Sequence, residues 1–241
     1  MRILITNDDG LQASQLLPLI KWAQKLGDVT TVVPKYEQSG KSHGIELRSA
    51  FEVSQVTLEP GITVTAVDST PADCVRYAIM GMQEKYDLVI SGINRGLNMG
   101  RDIMYSGTVS AVLEAANLGV QAIAFSTEPK NYNNATLRLD DIWDFVQEHR
   151  LLQRGDIYNI NIPKDAGTIR ITRQGGPYYS DDFILQENGL YAPHGKEVFV
   201  PSGNMELDTD AVLCGKYISI SPLTLERTDM QLFRELQALN T

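Results

Sequence analysis

Short apolar runs alternate with amphipathic stretches from the first residues to about residue 163, and this alternation limits the fold more than any other feature of the chain. Arg2 to Thr6 (RILIT), Asp28 to Val33 (DVTTVV), Ile62 to Val67, Asp87 to Ser91 (DLVIS), Val120 to Phe125 and Tyr158 to Ile162 read as strands. Ile45 to Leu58 alternates enough to be another. Between them, a helix starting near Ser14 carries Leu16, Leu19, Ile20 and Ala23 on one face and stops at Gly27. Thr70, Pro71 and Asp73 fit the N-cap, first and third positions of a helix running to about Met82. Thr108 to Leu118 is a helix stopped by Gly119, and Asn134 to His149 is another, with Ala135, Leu139, Ile142, Val146 and His149 on one face. Strands this apolar are buried on both sides, so the pattern predicts an α/β fold with a doubly wound, mostly parallel sheet.

The rhythm changes after residue 163. Residues 168–222 read as strands and hairpins, with turn signals at Gly175-Gly176-Pro177, Asn188-Gly189 and Ser202-Gly203-Asn204. Thr224 to Leu239 reads as an amphipathic helix using Leu232, Phe233, Leu236 and Leu239. We therefore divide the chain into a core, 1–165, and an extension, 166–241, made of a hairpin arm over about 175–210, a strand at 216–222 and the terminal helix. The arm carries Tyr178, Tyr179, Phe183, Tyr191 and Phe199. A lone hairpin is marginal in water, so arm and helix each need an apolar surface, on their own subunit or on a second copy. This predicts an oligomer.

The chain has 241 residues and a formal net charge of −9. That balance argues against gripping a nucleic-acid polymer, which takes a clustered basic face. A small anion is still admissible. Cys74 and Cys214 have no metal-ligand spacing and read as reduced packing residues of a cytoplasmic protein. Met1 leads directly into a strand, without a leader pattern, and no apolar run approaches membrane-spanning length.

The first strand runs straight into Asn7-Asp8-Asp9-Gly10. Alone, these are turn residues. Yet two adjacent carboxylates at the end of a buried strand repel each other and resist desolvation, which a cation would relieve. Two more polar loops follow strands: Glu37-Gln38-Ser39-Gly40-Lys41-Ser42-His43 and Ser91 to Gly100 (SGINRGLNMG). In an open α/β sheet, ligands bind beyond the C-terminal ends of the strands, where all three loops would meet. Asp8, Asp9, the Ser39 hydroxyl and the Asn94 carbonyl form an all-oxygen set suited to Mg²⁺, Mn²⁺ or Ca²⁺ rather than zinc. Two carboxylates neutralise a divalent ion and leave room for an anionic substrate. In Tyr105-Ser106-Gly107-Thr108, a helix N-terminus with a glycine and two hydroxyls suits a phosphate, although Ser106 alone reads as an N-cap. Thr70-Pro71-Ala72-Asp73 reads as capping only. His43, Arg95 and Arg101 are candidate phosphate contacts, and His149 and His194 read as structural. No G-x-G-x-x-G follows the first strand and there is no P-loop lysine.

At these residues the chain resembles the SurE (survival protein E) family of nucleotidases. NDDG at 7–10, SG at 39–40, TPADCV at 70–75, SGIN-x-G-x-N-x-G at 91–100 and YSGTVSA at 105–111 match its segments in order and spacing. NINIP at 159–163, TRQ at 172–174, DTDA at 208–211 and YISISPL at 217–223 extend the match over nearly the whole chain. Two places depart from the pattern: after Ser39 the family reads closer to GHS-x-T, where this chain has Lys41-Ser42-His43-Gly44-Ile45-Glu46 with Glu46 standing where Thr is common, and Ser69 stands where Gly is usual. The resemblance implies a Rossmann-like core and one divalent ion per subunit, Mg²⁺ or Mn²⁺, held by Asp8, Asp9, Ser39 and Asn94. It implies hydrolysis of nucleoside 5′-monophosphates, with 3′-monophosphates and short polyphosphate also attacked, and a homodimer or homotetramer. In that frame Asp8 or Asp9 helps take the proton from the attacking water. Ser39, Gly40, Ser106, Gly107 and Thr108 contact the phosphate, and Asn98 holds the same group. A non-catalytic nucleotide or metal sensor on the same fold is the other expectation.

Overall fold

The computed structural model describes residues 1–240, and its centre is a nine-stranded sheet. The strands are β1 (Arg2–Thr6), β2 (Asp28–Pro34), β3 (Val53–Glu59), β4 (Ile62–Val67), β5 (Leu88–Arg95), β6 (Gln121–Thr127), β7 (Ile157–Ile162), β8 (Ile169–Ile171) and β11 (Ile218–Leu223), in the order β3-β4-β2-β1-β5-β6-β7-β11-β8. A separate antiparallel hairpin pairs β9 (Tyr179–Leu185) with β10 (Tyr191–Glu197). β4, β2, β1, β5, β6 and β7 run parallel; β3 and β11 pair antiparallel with β4 and β7. The helices are α1 (Leu16–Ala23), α2 (Pro71–Arg76), α3 (Gly107–Asn117), α4 (Tyr132–Leu137), α5 (Leu139–Glu148), α6 (Asp208–Leu213) and α7 (Met230–Leu236). This is the α/β, mostly parallel, doubly wound architecture that the apolar rhythm predicts.

β1 shows why the sheet is covered on both sides. Its residues alternate between two apolar cores. Ile3 and Ile5 pack with Leu16, Leu19 and Ile20 of α1 and Ile142 and Val146 of α5. Leu4 points the other way, into a cluster with Val75 of α2 and Val109 and Val112 of α3. All three β1 side chains are fully buried. From β1 the chain crosses to β2 on one side and later to β5 on the other, so the strand order switches direction at β1. The crevice at such a switch is where this class of sheet binds ligands.

Several elements differ from their sequence-based boundaries, each for a local reason. Residues 45–52 form no strand; the Glu46 carboxylate accepts from the N–H groups of Arg48 and Ser49 (2.7 and 2.8 Å) and makes a turn there. The helix capped by Thr70 ends as α at Arg76 and continues as a π-turn over Tyr77–Gly81. The expected 134–149 helix is two helices meeting at Arg138, and His149 is exposed and lies against Phe145, ring centroids 4.2 Å apart. β5 runs on to Arg95, into the expected loop. α6 lies inside a region that reads as strands and turns. Cys74 is buried, whereas Cys214 is exposed and packs nothing away from water. The strand expected at 216–222 is β11, which sits inside the main sheet between β7 and β8. None of the described helices is long and apolar enough to cross a membrane.

Leu4→Ala is expected to cost about 2–5 kcal/mol in urea unfolding, because it leaves a cavity between β1 and α3. Leu137→Ala, at a side chain 76% exposed on α4, is expected to change stability by no more than about 0.5 kcal/mol. Equal effects would contradict the packing described.

Candidate active site

Four loops at the C-terminal ends of β1, β2 and β5 and before α3 meet at the switch point, stitched together by main-chain bonds. Asn7 closes the turn after β1 by pairing its side-chain amide with the N–H and carbonyl of Gly10, both at 3.1 Å. The carbonyl of Asp8 accepts from the N–H of Gln38 (2.7 Å), which brings the Ser39–Gly40 loop against the acidic pair. Ser42 ties the same loop to the run before α3, its N–H on the Tyr105 carbonyl (3.0 Å) and its hydroxyl on that of Met104 (2.6 Å).

Asp8 and Asp9 are held differently. Asp8 is buried, 3% exposed, and its Oδ1 accepts from the Thr108 hydroxyl at 2.5 Å, with a second bond from the Thr108 N–H. Gly107 allows this approach: a Cβ there would lie 2.8 Å from the Cβ of Asp8. Asp9 lines an open cleft and accepts from the Arg95 N–H at 2.9 Å. Burial raises the pKa of Asp8 above the usual carboxylate range, against the opposing bonds from Thr108. Burial and then the charge of Asp8 push Asp9 up to about 6, with Arg95 opposing. Ionising both carboxylates side by side here is thus unfavourable without a counter-charge.

A divalent cation fits this donor set. The amide nitrogen of Asn94 donates to the Gly96 carbonyl at 2.8 Å, and its oxygen is left uncommitted to that bond. Ser39 is exposed and donates to Glu37 at 2.8 Å, and its lone pairs are left over. Among the described residues no cluster of three or more His, Cys, Asp or Glu could hold a metal; the set is two carboxylates with neutral oxygens, as hard cations accept.

The other candidate residues fall into distinct positions. Ser106 caps α3, its Oγ accepting from the Val109 N–H at 3.1 Å. Thr108 is fully buried and spends its hydroxyl on Asp8, so it reaches the site through that carboxylate. Asn98 is braced by residues the sequence reading did not assign to the site. Asn161 bonds both the N–H and the carbonyl of Asn98 (2.8 and 2.7 Å), Asn159 bonds the same carbonyl (2.7 Å), and the Asn98 amide donates to Ser126 (2.8 Å). Asp208 bonds the N–H groups of Gly100 and Gly175 at 2.9 and 2.7 Å. The signal for these was present as alternate Asn residues in NIN and as the acidic DTDA run, but nothing in one sequence says which loop they clamp. His43 lies 2.9 Å from Glu114 on α3, and Arg101 lines a separate cavity.

Residues 3–181 match the family model described as Survival protein SurE. The chain is 38% identical to a "5'-nucleotidase SurE" of Caldanaerobacter subterraneus subsp. tengcongensis, over 98% of this chain and 96% of that one. It is 32% identical to one from Vibrio campbellii, over 99% and 94%. The crystal structure of the SurE protein from Aquifex aeolicus superimposes with a TM-score of 0.80 at 30% identity, covering both chains fully.

The raised pKa of Asp9 gives a pH signature in metal-free protein. The folded state holds that proton more tightly than the unfolded chain, so the group favours folding at low pH. This advantage is lost as pH rises from about 4 through 6, at a cost on the order of 2–3 kcal/mol. In chelator, Asp9→Asn is therefore expected to raise the melting temperature above pH 6.5 and to leave it unchanged near pH 4. An equal shift at both pH values would contradict the assignment.

Proposed function

The chain belongs to the SurE family, and from that we propose that it is a divalent-metal-dependent phosphomonoesterase that hydrolyses nucleoside 5′-monophosphates to nucleoside and phosphate. 3′-Monophosphates and short polyphosphate are proposed as further substrates, and the cytoplasm as its location. The observation that carries the proposal is the pair Asp8–Asp9, two neighbouring carboxylates kept at the sheet's switch point with raised pKa values and a helix N-terminus beside them.

Asp8, Asp9, Ser39 and Asn94 are the proposed holders of one Mg²⁺ or Mn²⁺. When bound, the ion supplies Lewis acidity at a phosphoryl oxygen and lowers the pKa of a neighbouring water. The rest falls to the chain. Thr108 fixes the orientation of Asp8. Asp8 or Asp9 is proposed to take the proton of the attacking water, Asp9 being the one that lines the cleft. Ser106 accepts a cap bond with its oxygen, which frees its hydroxyl hydrogen for a phosphoryl oxygen. Gly107 adds the N–H of the first helical position, which an α-helix leaves without an internal partner. Gly40 lets the backbone of the Ser39 loop come close, at a φ of +70°. Asn98 is proposed to steady the same phosphoryl group with the second hydrogen of its amide.

Hydrolysis of a nucleoside 5′-monophosphate, followed by phosphate release with Mg²⁺ or Mn²⁺, tests the proposal. Excess chelator is expected to abolish turnover; full activity in chelator would refute the metal site. Asn94→Asp adds a third negative charge and is expected to weaken phosphate binding by on the order of tenfold at matched metal. Unchanged affinity would show that Asn94 is no ligand.

We further propose that the extension, 166–241, builds a homodimer or homotetramer. The support is apolar surface: Phe183 is 71% and Tyr191 67% exposed on the hairpin, and α7 buries no residue while showing Leu232, Phe233 and Leu236 to solvent. Light scattering is expected to report at least twice the 26.7 kDa chain mass. Deleting 225–241 is expected to shift the protein toward monomer or make it insoluble; a monomer at micromolar concentration before deletion would refute the proposal.

A further inference from the structure

The cleft beside Asp9 is larger than a phosphate group needs. Its volume is about 780 Å³, within the range of pockets that enclose a small organic ligand. Asp9 and Arg95 form one wall, Gln12 and Gln15 at the approach to α1 form another, Lys130 comes from the turn between β6 and α4, and Tyr132 is the first residue of α4. Tyr132 is the one aromatic residue lining this cleft.

Tyr132 opens α4 and is half-buried, yet it belongs to neither apolar core. Among the described residues its ring pairs with no other aromatic. Burial and the charge of Asp9 raise the pKa of its hydroxyl to about 12. The side chain therefore stays neutral at any physiological pH and adds no charge to a site already rich in carboxylates. A half-buried ring facing a cleft, one wall away from the acidic pair, offers a flat apolar face to whatever is attached to the bound phosphate.

We propose that the ring of Tyr132 is the platform on which the base of a nucleoside monophosphate stacks while its phosphate lies against Asp8, Asp9 and the start of α3. This rests on the nucleotidase proposal above and adds the residue that makes the substrate a nucleotide rather than any phosphomonoester. Every base has a π-face, so a stacking platform accepts purines and pyrimidines alike and reads no hydrogen-bonding edge. Tyr132 acts in substrate recognition and touches no reacting atom.

The test is calorimetric titration of the Mn²⁺-loaded protein with two ligands that cannot be hydrolysed. One is the methylenephosphonate analogue of adenosine 5′-monophosphate, and the other is methylphosphonate, which has no nucleoside. The readout is the ratio of the two dissociation constants. Tyr132→Ala is expected to cut the preference for the nucleotide analogue by about ten- to a hundredfold, and Tyr132→Phe, which keeps the ring, to retain it. Melting temperatures of both variants check that the fold is intact. The proposal is overturned if the ratio is unchanged in Tyr132→Ala, if Tyr132→Phe loses as much as Tyr132→Ala, or if the wild type shows no preference for the nucleotide analogue. Turnover is scored separately. A wild type that stacks the analogue but hydrolyses no nucleotide would sink the nucleotidase proposal and leave the platform standing.

Discussion

The hydrogen bond from Thr108 to Asp8 ties the two halves of the site together. It joins the end of β1 to the first turn of α3 at 2.5 Å inside the protein. A carboxylate so far from water is costly, and its raised pKa is the sign of that cost. The hydroxyl and N–H of Thr108 offset part of it, and the positive end of the α3 dipole lies on the same side. What they do not offset is the second carboxylate. Asp9 is next in the chain, and its ordinary acidity is suppressed by burial and by Asp8. Structure alone would favour replacing one of these residues. Keeping both is a stability cost of the kind found at functional sites, where a bound cation would remove it.

Around this pair the protein uses buried polar side chains as clamps on loop backbone. Asn161 holds Asn98 by both its N–H and its carbonyl, a two-point attachment that fixes the rotation of the loop as well as its position. Asp208 gathers the N–H groups of Gly100, Gly175 and Thr209, and these bonds work against the rise in pKa that its burial causes. Thus the glycine-rich loop after β5, which carries Asn98 and follows directly on Asn94, is pinned by side chains from β7 and from the start of α6. The C-terminal third of the chain is therefore tied to the site even though none of its residues is a candidate ligand.

How much of this was legible in the sequence depends on the range of the interaction. Apolar period and caps are local, so β1 and α3 can be read within a residue of both observed limits and the starts of β5, α1 and α2 within two, while the far ends of those three, set by tertiary contacts, cannot; Asp8, Asp9 and Asn94 can be placed on one rim. Side-chain clamps act between segments 60 or more positions apart, as Asn161 and Asn98 do, and a single sequence carries no record of such pairings. Thr108 shows the intermediate case. Its place at a helix N-terminus is readable, but whether its hydroxyl faces ligand or protein depends on how closely Gly107 lets α3 approach β1. α6 was hidden because its six residues sit among turn signals, too few for a helical period to show.

The two departures from the family pattern, Glu46 and Ser69, look unrelated along the chain, yet they meet in space. The N–H of Glu46 and the hydroxyl of Ser69 both donate to Oδ2 of Asp73, at 2.8 and 2.6 Å, and Asp73 is the third residue of α2 and only 3% exposed. The carboxylate of Glu46 turns away, accepting from Arg48 and Ser49, and these bonds hold its pKa below the usual range. Where Thr would offer a single hydroxyl, Glu46 caps its own turn; where Gly would offer nothing, Ser69 supplies a donor. Both differences are absorbed by the anchoring of the 41–50 segment to α2. They lie beyond the Ser39–Gly40 end of that loop, which the bonds from Gln38 to Asp8 and from Ser42 to Tyr105 and Met104 hold in place independently. At Glu46 and Ser69 the divergence of this chain therefore bears on how the far end of the loop is fastened rather than on which atoms face the acidic pair.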